Sequence, residues 1–117
     1  MPELKKYQMF IDGQWVDSDT KKTFETLNPE NNKPWAVVPE ASANDVDRAV
    51  KAAQKAFEGE WPKMLARDRA KYLRAIGNKL RENSELLGKI ETIDTGKLYR
   101  ETYQQAKYIA EYYDYYA

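Results

Sequence analysis

The pattern of apolar residues changes at Pro39, and this change constrains the fold more than any other feature of the chain. Residues 7–38 form short β-type runs separated by turn residues, whereas later apolar residues recur at steps of three and four. The first pattern predicts strands and the second predicts amphipathic helices. Strands followed by about four helices are typical of a free-standing α+β domain or of one flank of a larger α/β protein.

The strand-rich part contains two turn signals. Asp12-Gly13 separates two β-forming runs in YQMFIDGQWV and predicts a hairpin. Residues 23–27, TFETL, alternate as in a half-buried strand, and the polar stretch 28–32 predicts a second turn. A further strand is expected in the apolar run WAVVPE, which Pro39 ends.

Four helices are expected after Pro39. Ser42 and Asp45 have the spacing of a capping box, which predicts the start of the first helix, and Gly59 and Pro62 predict its end. The later helices are predicted over about 67–82, from 83 or 84 to Gly96, and from about 99 to the last residue.

Composition limits the chemistry that the chain can perform. The 117 residues suit one domain with a modest core, and they include no cysteine and no histidine. Thiol nucleophiles, disulfides and imidazole metal ligands are therefore excluded. Nineteen basic residues balance nineteen acidic ones, and no apolar run has the length of a membrane span. We therefore expect no nucleic-acid or membrane partner and a cytoplasmic location.

The pair Gly96-Lys97 invites comparison with a phosphate-binding loop. Such a loop needs a glycine five positions before Gly96 and a hydroxyl residue after the lysine. Glu91 and Leu98 occupy those positions. The pair is instead predicted to end the third helix, because glycine readily adopts the left-handed conformation found just past helix ends.

Seven of the nine tyrosines lie between Tyr99 and Tyr116, on two faces of the predicted last helix. One interpretation is a surface on which a base or sugar stacks. The interpretation that we favour is packing, with the phenol groups at the rim. A helix that is aromatic on two faces is usually buried on both, so part of its covering surface is expected to be missing.

Asp94 lies near the predicted end of the third helix, where the helix dipole disfavours a negative charge. It is either an exposed acid that is tolerated there or a ligand for a positive partner. A carboxylate beside helix C-terminal carbonyls forms an oxygen-rich corner that suits a hard cation.

Five stretches, FIDGQWVDS, TFETLNPE, VPEASANDVDRAVKAAQKAFE, ETIDTGK and EYYDYYA, occur here in an order that resembles the NAD(P)-dependent aldehyde dehydrogenases. ETIDTGK is most similar to the betaine-aldehyde type. The resemblance implies an α+β fragment of an α/β enzyme, on the flank of a Rossmann-like NAD-binding domain. Residues 1–117 would then be an incomplete part of that domain, with residues 1–6 as a disordered tail.

The function that this resemblance implies is oxidation of an aldehyde to a carboxylic acid with NAD or NADP. The family's catalytic cysteine, general-base glutamate and oxyanion-hole asparagine lie beyond the matched part. We therefore expect a fragment or truncated form that is inactive alone and does not bind the dinucleotide alone. The expected partners are the remainder of the enzyme and further copies of the chain. The alternative is a non-enzymatic helical module that self-associates or binds a partner.

The resemblance also implies a monovalent-cation site for K⁺ or Na⁺. The matching ligands are the backbone oxygens of Thr26 and Leu27 and the carboxylate of Asp94, with a further ligand from beyond residue 117.

Two positions depart from the family pattern. Leu98 replaces a usual proline, which could bring the third and fourth helices close to continuity, and Leu65 lies where a capping hydroxyl is common.

Overall fold

The computed structural model describes residues 4–117, which divide into two compact units between Lys63 and Met64. The first unit contains β1 (Lys5–Lys6), β2 (Met9–Ile11), β3 (Gln14–Val16), β4 (Thr23–Asn28), β5 (Lys33–Pro39), α1 (Ala43–Glu58) and a 3₁₀ helix (Trp61–Lys63). The second contains α2 (Ala66–Glu82), α3 (Ser84–Thr95) and α4 (Tyr99–Tyr116). The predicted class, a strand-rich start followed by four helices, is confirmed.

The predicted hairpin is strands β2 and β3, which pair antiparallel with Phe10 opposite Trp15. Both turn residues have positive φ, 50° at Asp12 and 77° at Gly13. A two-residue loop with two left-handed residues matches the right-handed twist of the strands it joins. The Asp-Gly pair is suited to that loop because Asp tolerates the left-handed region and Gly enters it without steric cost.

The other sheet has the strand order β1-β5-β4, with β4 antiparallel and β1 parallel to β5. This corrects the prediction of a disordered tail for Lys5 and Lys6. Lys5 and Lys6 pair with Ala36 and Val37, and the backbone N–H of Tyr7 donates to Val37 at 2.9 Å. The edge of β5 has backbone groups that are free to pair with residues 5–7. The polar composition of residues 1–6 does not reveal this pairing. Residues 1–3 of the predicted tail lie outside the described residues.

Helix α1 begins as the sequence predicts. Ser42 has an extended backbone and its side chain accepts from the N–H of Asp45 at 3.1 Å, while the Asp45 carboxylate accepts from the N–H of Ser42 at 2.9 Å. This is the predicted capping box, in which each side chain satisfies the other residue's backbone donor. The helix ends at Glu58, next to Gly59.

The second unit packs its helices through small side chains. Helix α4 contacts both α2 and α3, and the buried residues of the unit are Ala70, Gly77, Ser84, Gly88, Thr102, Ala106 and Ala110. Small side chains let the backbones approach closely, which explains how three helices pack without large buried hydrophobic side chains. In the described part of the chain, no helix is long and apolar enough to cross a membrane.

Helices α3 and α4 are separate, which corrects the expectation that Leu98 could bring them close to continuity. Gly96 has φ 75° and ends α3, and α4 begins at Tyr99. A left-handed residue turns the chain out of the helical path, so the stop does not need the usual proline. Leu65 precedes α2 without a side-chain cap, as expected from the missing hydroxyl.

Candidate functional site

The most highly connected polar group of the first unit is the buried carboxylate of Asp45, which is 1% exposed. Its Oδ2 accepts from the Ser18 hydroxyl at 2.8 Å and from the Ser42 N–H at 2.9 Å. The Asp19 N–H lies 3.3 Å from both carboxylate oxygens, and the Arg48 guanidinium donates to Oδ1 at 2.5 Å. The carboxylate thus has backbone, hydroxyl and guanidinium donors.

These donors stabilise the ionised form. The Ser42 backbone N–H, followed by Arg48, holds the pKa of Asp45 well below its ordinary value of 3.8, against the opposing effect of burial. A carboxylate that stays ionised and is saturated with protein donors is poorly suited to proton transfer near neutral pH. We therefore assign Asp45 a structural role, in which it fastens the turn at residues 18–19 to the start of α1.

Sequence reasoning found part of this cluster and missed the rest. The spacing of Ser42 and Asp45 predicted the capping box, but nothing in the local pattern linked Ser18 to Asp45. The one available signal was a serine in the polar turn DSDTKK, which on its own is ordinary turn composition.

The end of α3 shows that Gly96-Lys97 is a helix stop. The Gly96 N–H donates to the carbonyl of Thr92 at 2.9 Å, and the Thr95 hydroxyl donates to the carbonyl of Glu91 at 2.7 Å. The Lys97 ammonium donates to a carboxylate oxygen of Glu91 at 2.7 Å. The partner of Lys97 is therefore an acid of the helix that has just ended. Gly96 ends α3 in the left-handed conformation, so the prediction of a helix stop is confirmed.

The three predicted cation ligands lie in different units. Thr26 and Leu27 are in β4, where the pairing with β5 shifts register, since Thr26 pairs with Ala36 but Leu27 with Pro34. Asp94 is an exposed residue of α3. Over residues 4–117, no group of three or more His, Cys, Asp or Glu side chains could hold a metal ion. That finding does not address backbone oxygens, so the cation site stays a prediction.

The two tyrosine faces of α4 have different surroundings. The face with Tyr103 and Tyr113 also carries the buried Ala106 and Ala110 and is partly covered. The other face carries exposed tyrosines, with Tyr115 82% exposed. The exposed rings pair with one another, Tyr108 with Tyr112 and Tyr115 with Tyr116, each with centroids 5.2 Å apart.

This exposed face lines a shallow cavity of about 350 Å³ together with Glu111. A hydrogen bond with Tyr108 raises the pKa of the Tyr112 phenol above its ordinary value. The packing interpretation therefore holds for one face only. The other face presents aromatic surface that nothing within the described residues covers.

A second cavity, of about 460 Å³, lies in the first unit. Its lining includes three lysines, Lys6, Lys21 and Lys22, and one carboxylate, Asp17. Asp17 accepts from the Gln8 amide at 2.9 Å and lies 3.8 Å from the Lys21 ammonium. Three ammonium groups against one carboxylate make the cavity basic.

Comparison with known proteins identifies what the chain resembles. Residues 15–117 match the aldehyde dehydrogenase family. The sequence is 42% identical over 101 residues to "Aldehyde dehydrogenase family 2 member C4" of Arabidopsis thaliana, a match that covers 86% of this chain and 20% of that protein. The chain therefore spans about a fifth of the length of this curated relative.

Solved structures agree with this match. The NAD-dependent aldehyde dehydrogenase of Sinorhizobium meliloti superposes with a TM-score of 0.92 at 31% identity, over 97% of this chain and 23% of that one. The betaine aldehyde dehydrogenase of Staphylococcus aureus in complex with NAD⁺ superposes with a TM-score of 0.88 at 40% identity, over 92% and 22%. The matched part is the N-terminal part of these enzymes.

Proposed function

The chain belongs to the aldehyde dehydrogenase family, and from that premise we propose that it is the N-terminal scaffold of an enzyme that oxidises an aldehyde to a carboxylic acid. The observation that carries this proposal is the agreement of sequence and fold over nearly the whole chain, with 40% identity and a TM-score of 0.88 to the Staphylococcus aureus enzyme. That relative binds NAD⁺ in its crystal structure, which supports NAD as the hydride acceptor.

The proposed role of this segment is to hold surrounding elements in place. Its 117 residues include no cysteine, so the thiol that the family resemblance implies must come from another part of the polypeptide. Its best-connected polar group, Asp45, is saturated by protein donors. We therefore expect the chain alone to show neither aldehyde oxidation nor dinucleotide binding.

Complementation tests this role directly. The Staphylococcus aureus betaine aldehyde dehydrogenase would be produced without the segment that aligns with this chain, and the missing segment would be supplied as the 117-residue chain. We expect NADH formation from betaine aldehyde only when both polypeptides are present, because the scaffold and the catalytic part then lie in one assembly.

The matched control is the same experiment with a chain carrying Gly88→Ala, which crowds the contact between α3 and α4. This variant should restore less activity. Aldehyde oxidation by the chain alone would contradict its assignment as scaffold, and so would a stable two-part complex that remains inactive.

A second candidate function, a helical module that self-associates or binds a partner, is favoured by the exposed apolar surface. Within residues 4–117, the buried hydrophobic residues are four alanines, while 21 large hydrophobic residues are more than a third exposed. Apolar area on this scale is usually covered by a partner or by further chain. Sedimentation velocity at rising concentration tests it, and a compact monomer throughout would contradict self-association.

Two further expectations remain proposals. A K⁺ or Na⁺ ion bound by the backbone oxygens of Thr26 and Leu27 and by Asp94 should raise the melting temperature in potassium or sodium chloride relative to a salt of a bulky cation. Equal melting in all of these salts would count against the ion.

The cytoplasmic location follows from the sequence expectation alone, and fractionation of cells that express the gene would test it.

A further inference from the structure

The fold of the first unit brings together two lysine pairs that are distant in the sequence. Lys5 and Lys6 form β1, and Lys21 and Lys22 lie just before β4. The cavity of about 460 Å³ that Lys6, Lys21 and Lys22 line is called the lysine cavity below. Lys5 lies beside it, because its ammonium is 4.7 Å from the ring centroid of Tyr7, which also lines the cavity. Basic charge is thus concentrated at one place in a chain without net charge.

The charges that line the lysine cavity are not balanced. Its lining carboxylate, Asp17, accepts from the Gln8 amide at 2.9 Å and lies 3.8 Å from the Lys21 ammonium. Three ammonium groups less one carboxylate leave two positive charges on the lining residues. Like charges around a concave surface add their potentials, so the lysine cavity attracts anions.

The other cavity of the first unit with basic residues is balanced. It lies between the β2–β3 hairpin and α1, and it is also lined by three basic side chains. Each of them has an acid partner, since Arg48, Lys51 and Lys55 pair with Asp45, Asp47 and Asp12. Excess positive charge therefore distinguishes the lysine cavity from this one.

The Tyr7 hydroxyl provides a second, independent observation. Its oxygen is buried and has no hydrogen-bond partner within residues 4–117. Nearly all buried polar atoms in folded proteins are paired, and an unpaired one is unfavourable. The ring is fixed in place, because it packs edge-to-face with Trp35 at a centroid distance of 6.1 Å and its backbone N–H donates to Val37. Tyr7 therefore adds an unused hydroxyl donor to the residues of a basic cavity.

We propose that the lysine cavity binds a phosphate group, either inorganic phosphate or the phosphate ester of a small molecule. A phosphate monoester carries a charge of about −1.5 to −2 near neutral pH, which matches the two excess positive charges. Lysine binds phosphate as a point charge and needs no fixed geometry, so the exposed side chains of Lys21 and Lys22 suit this role. The volume lies within the roughly 300–1,000 Å³ of small-molecule sites.

The main competing occupant is a carboxylate from a part of the polypeptide outside these 117 residues, since the Arabidopsis thaliana relative is about five times as long. One carboxylate would neutralise only one of the two excess charges, whereas a phosphate dianion neutralises both. The charge balance therefore favours phosphate. This inference does not rest on the proposed function, because phosphate binding is measured on the chain alone and needs no aldehyde oxidation.

Titration of the isotope-labelled chain with inorganic phosphate, followed by the NMR shifts of its backbone amides at constant ionic strength, measures binding directly. We expect saturable shifts centred on residues 6–8 and 17–23. The dissociation constant should lie in the millimolar range, because solvent screens exposed ammonium groups. Acetate at the same ionic strength is the carboxylate probe, and we expect it to bind at least roughly fivefold more weakly because it carries one charge.

Removal of two ammonium groups provides the second measurement. The double variant Lys21→Gln, Lys22→Gln should weaken phosphate binding roughly tenfold or more. Both side chains are exposed, so the fold should be kept, as circular dichroism would show. The matched control is Lys51→Gln, Lys89→Gln, which removes two exposed helix lysines that do not line the lysine cavity. This control should bind phosphate as the parent chain does.

Tyr7→Phe tests the hydroxyl separately from the charge. It should weaken phosphate binding severalfold, because it removes one donor. In phosphate-free buffer it should not lower the melting temperature, because the hydroxyl has no partner within the described residues. A lower melting temperature with unchanged phosphate binding would show that the hydroxyl is structural and would contradict its place in the site.

Three results would overturn the proposal. The first is a set of shifts that grow in proportion to phosphate without saturation, and the second is a double lysine variant that binds as tightly as the parent. The third is acetate binding as tight as phosphate binding, which would indicate a site for a carboxylate of the longer polypeptide.

Discussion

The Ser18 hydroxyl donates a 2.8 Å hydrogen bond to the Asp45 carboxylate, which lies 27 residues later and is the partner of the N-cap residue Ser42 in the capping box of α1. One carboxylate thus serves two purposes, since it closes the capping box with Ser42 and anchors the turn that contains Ser18. The ionised state of Asp45 should therefore control the stability of the first unit.

Stability should fall in acid because of Asp45. Its folded-state pKa lies below the ordinary value of 3.8, so the unfolded state binds more protons as the pH falls. The stabilisation is complete well above pH 3.8 and is lost progressively below it. Urea unfolding measured from neutral pH into acid should show this loss, and Asp45→Asn should flatten the acid part of the profile.

The matched control is Asp47→Asn on the same helix, whose side chain is 58% exposed and paired with Lys51. This variant should keep the wild-type acid profile, since surface pairs contribute little. An Asp45→Asn profile that parallels the wild type would contradict the assignment.

Gly88→Ala should destabilise the second unit. A Cβ at position 88 would lie 2.9 Å from both the Cα and the N of Tyr103, and backbone atoms cannot move aside cheaply. Overpacking of this kind costs about 1–3 kcal/mol, more than the ~1 kcal/mol that alanine gains over glycine in a helix. Urea unfolding measures the change. Leu86→Ala on the exposed side of α3 should cost within about 0.5 kcal/mol, and similar values for both variants would refute the close approach.

Thr102→Val should lower stability by removing one hydroxyl. The Thr102 side chain is 0% exposed, and its Oγ1 donates to the Gly88 carbonyl at 2.9 Å. Valine keeps the shape but removes the buried hydroxyl that bonds both the Gly88 carbonyl and, at 3.0 Å, the Thr92 hydroxyl, at a cost of about 1–3 kcal/mol. Thr102→Ser keeps the hydroxyl and provides the control. If the serine variant were the less stable of the two, packing of the methyl group would outweigh the hydrogen bond.

Gly96→Ala should cost about 1–2 kcal/mol, because φ is 75° at this position and a Cβ is strained there. Gly96→Asn should cost less, since asparagine adopts the left-handed region more readily. The melting temperatures of the two variants are compared. A smaller loss for the asparagine variant indicates that backbone strain, and not the added side chain itself, causes the destabilisation. Equal destabilisation by both residues would show that something other than φ decides the effect.

Local signals predicted most element boundaries. The Asp12-Gly13 turn, the capping box at Ser42 and the stop at Gly96 each depend on residues within a few positions of one another, and each is confirmed. The family resemblance, which also comes from the sequence, is confirmed over residues 15–117.

Contacts between distant residues could not be predicted in the same way. Lys5 and Lys6 form a strand because the edge of β5 is open beside them, although their composition indicates a tail. In the sequence, two faces of α4 carry tyrosines, and nothing local distinguishes the face that is buried. Packing against α2 and α3 determines which face is covered.

By itself, then, the sequence determined where the helices and most of the strands and turns begin and end, because dihedral preferences and caps act over a few residues. The tertiary structure alone decided that Ser18 meets Asp45 and that Gly88 lies against Tyr103. Such contacts depend on which surfaces pack together, and packing is a property of the whole fold that no local pattern encodes.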